Sequence, residues 1–269
     1  MEPTLFLYID ILGFSDLLKR TGQVQELFAI LDKAALHRDS NYRAIVFSDT
    51  IVAYNIHRNL SGTNKAIELM FLIELTQELF LRLIGRGVFF RAIITEGEFQ
   101  HTKLTNLEAY YGQALVDTYR AEKGLIITGL LLDKRLRKFN QVFRWRPFSD
   151  ALDFVYLTHQ LTRLTPSAKD LIMGPGCLAD PEFPIPGIAL TAPGIESMVY
   201  PEIVHFREVY DQMNDHPQPE VRAKFLATWN MYCLAYPKLT RSLLDHEFDP
   251  EGVARIDWTK AKQSFSEQR

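Results

Sequence analysis

Cysteine is scarce in this chain: its 269 residues include two, Cys177 and Cys233. That excludes a disulfide framework or a zinc cluster and predicts reduced thiols in a cytoplasmic protein. The seven histidines show no paired metal-ligand spacing. A large charge of one sign is also lacking. The net charge of -3 excludes bulk nucleic-acid binding, so any phosphate recognition has to come from a local site. No long apolar run is present. The most apolar segment, residues 66–84, is broken by Glu68, Glu74, Gln77, Glu78 and Arg82, so no conventional membrane span is expected. The opening MEPTLFLYID has no basic region and carries Asp10 inside its apolar stretch, unlike a signal peptide. Internal repeats and low-complexity segments are absent as well. What is plentiful is core material. Apolar residues make up 47% and charged residues 23%, which excludes wholesale disorder. The length fits one large domain, or a compact domain with a substantial extension.

The chain is organised around LFLYIDILGFSDLL, residues 5–18. A near-continuous apolar run over residues 5–11 predicts a strand buried on both faces that carries Asp10 near its end. Gly13 breaks it, and Ser15 is the expected N-cap of a short helix ending near Gly22. A strand-end carboxylate beside a helix opening can hold a divalent cation on one side and phosphate oxygens on the other. Helical spacing follows from Gln23. Residues 43–56 then read as two strands joined in a hairpin with Asp49 at its tip, offering a second carboxylate. A long helix capped near Ser61 or Thr63 is expected to stop at Gly85 and Gly87. Residues 88–99 read as a strand, 115–123 as a helix, and LIITGLLL from Leu125 as a further strand. This order predicts an α+β, ferredoxin-like architecture with helices on a largely antiparallel sheet.

Beyond about residue 162 the character changes, with six of the 13 prolines between Pro166 and Pro193. The expected division is a domain over 1–162 and, over 163–269, a Pro/Gly-rich connection with a helical extension. Residues 201–213 and 219–236 read as helices. The final KQSFSEQR reads as frayed.

Several pieces together resemble the class III nucleotide cyclases, the adenylyl and guanylyl cyclase catalytic domains. YIDILGFSDLL resembles their first strand and metal turn, and FSDTIVAY the hairpin with the second metal aspartate. FRAIITEGEF resembles the strand running from an arginine to a Gly-Glu pair. YYGQALVDTYRAE resembles the glycine-led helix with the catalytic arginine, and GLIITGLLLDKRL the strand and short helix that close the domain. The resemblance covers residues 4–138. It implies that Asp10 and Asp49 bind two divalent cations, Mn²⁺ or Mg²⁺, with the Ile11 carbonyl as a further ligand. It also implies that Phe14 and Ser15 offer N–H groups to the terminal phosphates, and that Arg120 reaches the α-phosphate. In that family the aspartates and the arginine of one site come from different subunits, so a homodimer with composite sites is implied.

The departures from the pattern bear on the base. The family's purine readers stand where this chain has Ile45 and Ala109, neither able to hydrogen-bond a base edge. The ribose-orienting asparagine position is Val116, with Asp117 beside it, and Ser48 replaces the usual glycine before the second aspartate. Kept chemistry with replaced base readers is similar to the bacterial Pycsar cyclases of antiphage defence. The FSDT turn and the G-x-A-L-x-x-x-Y-x-x-E pattern from Gly112 to Glu122 resemble that branch. The implied substrate is UTP and the product cyclic UMP, with cyclic CMP as the close alternative. The implied partner is a separate effector that responds to the cyclic nucleotide. Tyr42 and Arg43 are the candidate pyrimidine contacts. Arg91 is expected to pair with Glu96 or Glu98, or to touch phosphate. A purine cyclase, a catalytically inactive nucleotide- or protein-binding module and a polymerase-like palm remain as alternatives; the acidic balance and the missing basic groove weigh against the last.

Overall fold

In the computed structural model of the chain, residues 2–20, 22–33, 41–57, 60–158, 160–163, 180–185 and 194–269 are described. Two compact units emerge, one comprising Met1–Arg82, Val88–Gln141 and Pro147–Val155, the other Leu83–Gly87, Val142–Arg146 and Tyr156–Arg269. Most of the Pro/Gly-rich connection, Cys177 included, lies outside the described residues.

In the first unit, strand β1 (Pro3–Leu12) forms from the opening apolar run and is paired on both edges, with Leu5, Phe6 and Leu7 fully buried. Gly13 follows in the left-handed conformation at φ 69° and starts the four-residue helix α1 (Phe14–Leu17). The cap is therefore Gly13, not Ser15. The chain has to reverse at that point, and only glycine does so without a Cβ penalty. Helix α2 is Gln23–Asp32, and strands β2 (Tyr42–Phe47) and β3 (Thr50–Asn55) form the expected hairpin. Phe47 pairs with Thr50, so its turn is Ser48-Asp49, with Ser48 at φ 56°. Helix α3 (Gly62–Leu83) stops before two left-handed glycines, Gly85 and Gly87.

Strand β4 (Phe89–Glu98) follows, then a short two-stranded sheet of β5 (Gln100–Lys103) and β6 (Glu108–Tyr111) that the sequence reading does not contain. QHTK and EAYY have no alternating apolar face, so pattern alone is silent there. Helix α4 (Gln113–Lys123) leads to strand β7 (Gly129–Asp133). The run LIITGLLL is thus strand only in its second half, because pairing with β4 begins at Gly129, opposite Arg91. Strands β8 (Trp145–Pro147) and β9 (Leu152–Val155) complete the set.

Among the described residues the main sheet has seven strands, in the order β2-β3-β1-β4-β7-β9-β8. All pairs among its first four strands are antiparallel, and β4–β7 is parallel. The β1–α–β2–β3–α3–β4 succession in the spatial order β2-β3-β1-β4 is a ferredoxin-like core, so the α+β expectation holds. Register assigns the faces. Arg43, Ile45 and Phe47 of β2 share one face with Tyr54, Val52 and Thr50 of β3 and with Phe6, Tyr8 and Asp10 of β1. Arg91 of β4 stands directly opposite Asp10 on that same face.

The second unit is helical: α5 (Gln160–Arg163), α6 (Ile195–Asp215), α7 (Pro219–Ala235), α8 (Pro237–Asp245), α9 (Pro250–Val253) and α10 (Thr259–Glu267). Helix α6 begins six residues before Pro201, which lies inside it rather than at its start. The tail expected to fray is ordered as α10. Phe265 packs edge-on against Tyr200 at 5.2 Å, and Trp258 at the helix entrance is 1% exposed.

Candidate functional site

The candidate site lies where β1 ends. Antiparallel pairing sets Asp10 beside Thr50, the first residue after the Ser48-Asp49 turn, so hairpin geometry delivers Asp49 to the same end of the sheet. The main chain closes the link: the Ile11 N–H donates to the Asp49 carbonyl at 2.8 Å. Both carboxylates are half-buried. Tyr8, one pleat back from Asp10, registers their charge. Its phenol is held above its usual pKa, first by burial, and then by the negative charges of Asp10, Glu122 and Asp49.

A buried network holds Asp10. Arg91 Nη2 donates to Asp10 Oδ2 at 2.7 Å and also pairs with the Glu122 carboxylate. Arg91 Nη1 donates to the main-chain carbonyls of Leu125 at 3.1 Å and Glu122 at 3.3 Å. The expected pairing of Arg91 with Glu96 or Glu98 is therefore corrected. Residues five and seven positions along a strand point to the opposite face, and Glu96 pairs there with Lys65 of α3 at 2.7 Å. The period of two, applied to β4, was the signal available for this.

Helix α4 buries Ala114, Thr118 and Glu122, one stripe at a spacing of four. Gly112 allows its entry: a Cβ there would stand 2.2 Å from the Glu98 carbonyl oxygen. Arg120 lies off that stripe, exposed with Val116 and Tyr119, and has no hydrogen bond or ion pair among the described residues. Register thus sets Asp10 and Asp49 at one end of the sheet, while Arg120 stands exposed on α4.

The other expected site residues divide by face. Phe14 is buried and Ser15 exposed in the first turn of α1, where the leading N–H groups precede any helical acceptor. Arg43 lies on the Asp10 face of the edge strand β2 and donates to the Tyr42 carbonyl at 2.8 Å. Tyr42 is a correction. Pleating turns it to the other face, where it is 2% exposed, donates to the Glu68 carbonyl at 2.9 Å and stacks on Phe71. Its ring belongs to the core and is not available to a base.

Ile45 packs against the cluster of Phe6, Tyr8, Val52, Tyr54, Phe99 and Ala114. Ala109 lies in β6 between Glu108 and Tyr110. Tyr110 donates to Glu108 at 2.6 Å and stacks on His101, whose Nε2 is 3.2 Å from Glu108 and Nδ1 3.1 Å from the Tyr54 hydroxyl. The hydrogen bond to Glu108 raises the Tyr110 pKa to about 12.

The donors at the Asp10 end are all oxygens: two carboxylates and the Ile11 carbonyl. That chemistry fits a hard divalent cation held by one or two carboxylates and completed by substrate oxygens. Among the described residues no group of three or more His, Cys, Asp and Glu forms a ready metal cluster. Among them, too, no helix is long and apolar enough to cross a membrane.

No protein-family model and no curated protein matches the chain. Solved structures similar to it include the guanylyl cyclase domain of the RhoGC fusion protein from the aquatic fungus Blastocladiella emersonii. That likeness is 14% identical over 57% of this chain and 93% of that one, with a TM-score of 0.41. The adenylyl cyclase CyaB from P. aeruginosa is similar at 11% identity over 58% and 94%, TM-score 0.41. The guanylate cyclase domain of RhGC from Catenaria anguillulae, solved in complex with GTP, is similar at 10% identity over 58% and 96%, TM-score 0.41.

Proposed function

We propose that the chain is a nucleotide cyclase that converts UTP to 3′,5′-cyclic UMP and pyrophosphate at the interface of a homodimer. The observation that carries this reading is the meeting of Asp10 with Asp49 at one end of a ferredoxin-like sheet while Arg120 stands exposed on α4. Asp10, Asp49 and the Ile11 carbonyl would hold two divalent cations, Mn²⁺ or Mg²⁺. When bound, these lower the pKa of the ribose 3′-hydroxyl and neutralise the triphosphate. The 3′-oxygen then attacks the α-phosphorus, its proton is lost, and the bond to pyrophosphate breaks. Charge builds on the α-phosphate oxygens, and Arg120 of a second chain meets it with a planar, permanently charged fork. Phe14 and Ser15 at the opening of α1 supply N–H groups to the terminal phosphates. Val116 and Tyr119, exposed beside Arg120, give the α4 face the apolar character that subunit contact requires.

Ile45 and Ala109 support a pyrimidine over a purine, because neither can hydrogen-bond a purine edge. Arg43, on the Asp10 face, is the remaining pyrimidine contact of the original pair. The product would act through a separate effector that responds to the cyclic nucleotide, as a second messenger in antiphage defence. Incubation with ATP, GTP, CTP and UTP plus Mn²⁺, followed by product mass, tests the reading. A cyclic UMP peak that disappears in Asp49→Ala is the expected result. Cyclic CMP would keep the pyrimidine and change the base, a cyclic purine would overturn the base argument, and no product from dimeric, folded protein would favour a binding module.

A further inference from the structure

The Asp10–Arg91–Glu122 chain is more than a strand-end ion pair. One guanidinium stands between two carboxylates, with the side chains of Arg91, Asp10 and Glu122 11%, 16% and 8% exposed. The carbonyls of Glu122 and Leu125, where α4 ends, fix its other nitrogen. Its buried Nε has no hydrogen-bond partner. An arrangement serving stability alone would be expected to satisfy that group. With Asp49 added, three carboxylates share the end of β1 with the one guanidinium of this network.

We infer that Arg91, held by Glu122, is a positioning residue that sets how tightly the Asp10–Asp49 end binds a divalent cation. This rests on the metal reading above. Arg91 and an incoming cation compete for the same Asp10 carboxylate. Glu122 keeps the guanidinium neutralised while Asp10 turns to the metal. Without Glu122 the whole charge of Arg91 falls on Asp10 and opposes the cation. Without Arg91 nothing competes with the cation for Asp10, and the Glu122 charge left behind it adds to the attraction. The two substitutions therefore act in opposite directions, a pattern that a merely structural network would not give.

The test is Mn²⁺ titration of the full chain without nucleotide, read by the electron paramagnetic resonance of free Mn²⁺. Wild type, Asp49→Ala, Glu122→Gln, Arg91→Gln and the Arg91→Gln/Glu122→Gln double variant are compared. Glu122→Gln is expected to weaken binding about ten- to a hundredfold, the range typical of groups behind a metal ligand. Arg91→Gln should tighten it, and the double variant should return close to wild type. Both single variants shifting the same way, or neither shifting, overturns the inference. If Arg91→Gln fails to fold, the double variant decides, since it removes the buried pair together. Binding as weak as in Glu122→Gln alone then overturns it. Mn²⁺ binding unchanged in Asp49→Ala overturns the metal reading itself and this inference with it. Loss in Asp49→Ala with same-direction shifts in the other two overturns this inference alone.

Discussion

The two units bury polar groups in contrasting ways. At the end of β1, Asp10 and Asp49 are half-buried and Arg120 on α4 is exposed, with Arg91 and Glu122 packed behind Asp10. In the helical unit, Glu202 is fully buried and accepts from the N–H groups of Gln160 at 2.9 Å and Leu161 at 2.7 Å, capping α5. His205, one turn along α6, lies 3.2 Å from the Tyr232 hydroxyl, and burial drives its pKa down to about 3. Charge kept near water can exchange partners at little cost, whereas charge sealed in a core has to be satisfied once and held. The first arrangement suits a ligand site, and the second suits a scaffold.

The largest effect should come from breaking the site. Arg120→Ala should lower kcat by about a hundred- to a thousandfold, as loss of one transition-state donor does, and Asp10→Ala should bring turnover to background. Melting temperatures should stay near wild type for Arg120→Ala, since that side chain has no partner among the described residues. Mixing the two inactive proteins with subunit exchange should restore about a quarter of wild-type turnover. Random pairing makes half the dimers mixed, and each of these holds one intact site of two. Absence of recovery despite demonstrated exchange would remove the composite site.

The fold was legible where one physical rule governed a stretch. The buried apolar run of β1, the acidic hairpin turn at Ser48-Asp49 and the glycine stop of α3 are local rules, and each appears in the structure. Legibility failed where a residue's role depends on its neighbour across the sheet. Arg91 reads as a partner of Glu96 along the chain, but only the β1–β4 register reveals Asp10. Tyr42 and Arg43 are adjacent in sequence yet lie on opposite faces, so a single assignment could not serve both. The β5–β6 hairpin was silent because its strands are short and polar, and α10 because its order comes from Tyr200 and α6 rather than from its own propensity.

An intermediate effect should separate scaffold from site. Glu202→Ala strands two buried N–H groups, and the unfolding free energy should fall by about 2–4 kcal/mol. The corresponding drop in Tm is measurable by calorimetry. Below that transition, Mn²⁺ affinity should match wild type. A change in metal affinity with no loss of stability would erase the distinction drawn between the two regions.

The smallest effect is on pH dependence, and its sign follows from His205. The folded pKa, about 3, lies below the usual histidine value, so the native state holds the ring neutral while the unfolded chain takes up a proton near pH 6.5. Stability from this group is therefore complete above about pH 6.5 and declines as pH falls toward 3, by at most about 1.4 kcal/mol per pH unit. Urea midpoints measured between pH 7.5 and 5 should drift down in wild type. They should drift less in His205→Gln, which keeps a hydrogen-bonding group beside Tyr232 and cannot titrate. Equal slopes in the two proteins would place the acid sensitivity elsewhere. A steeper slope in His205→Gln would mean that the ring protects this core instead of burdening it.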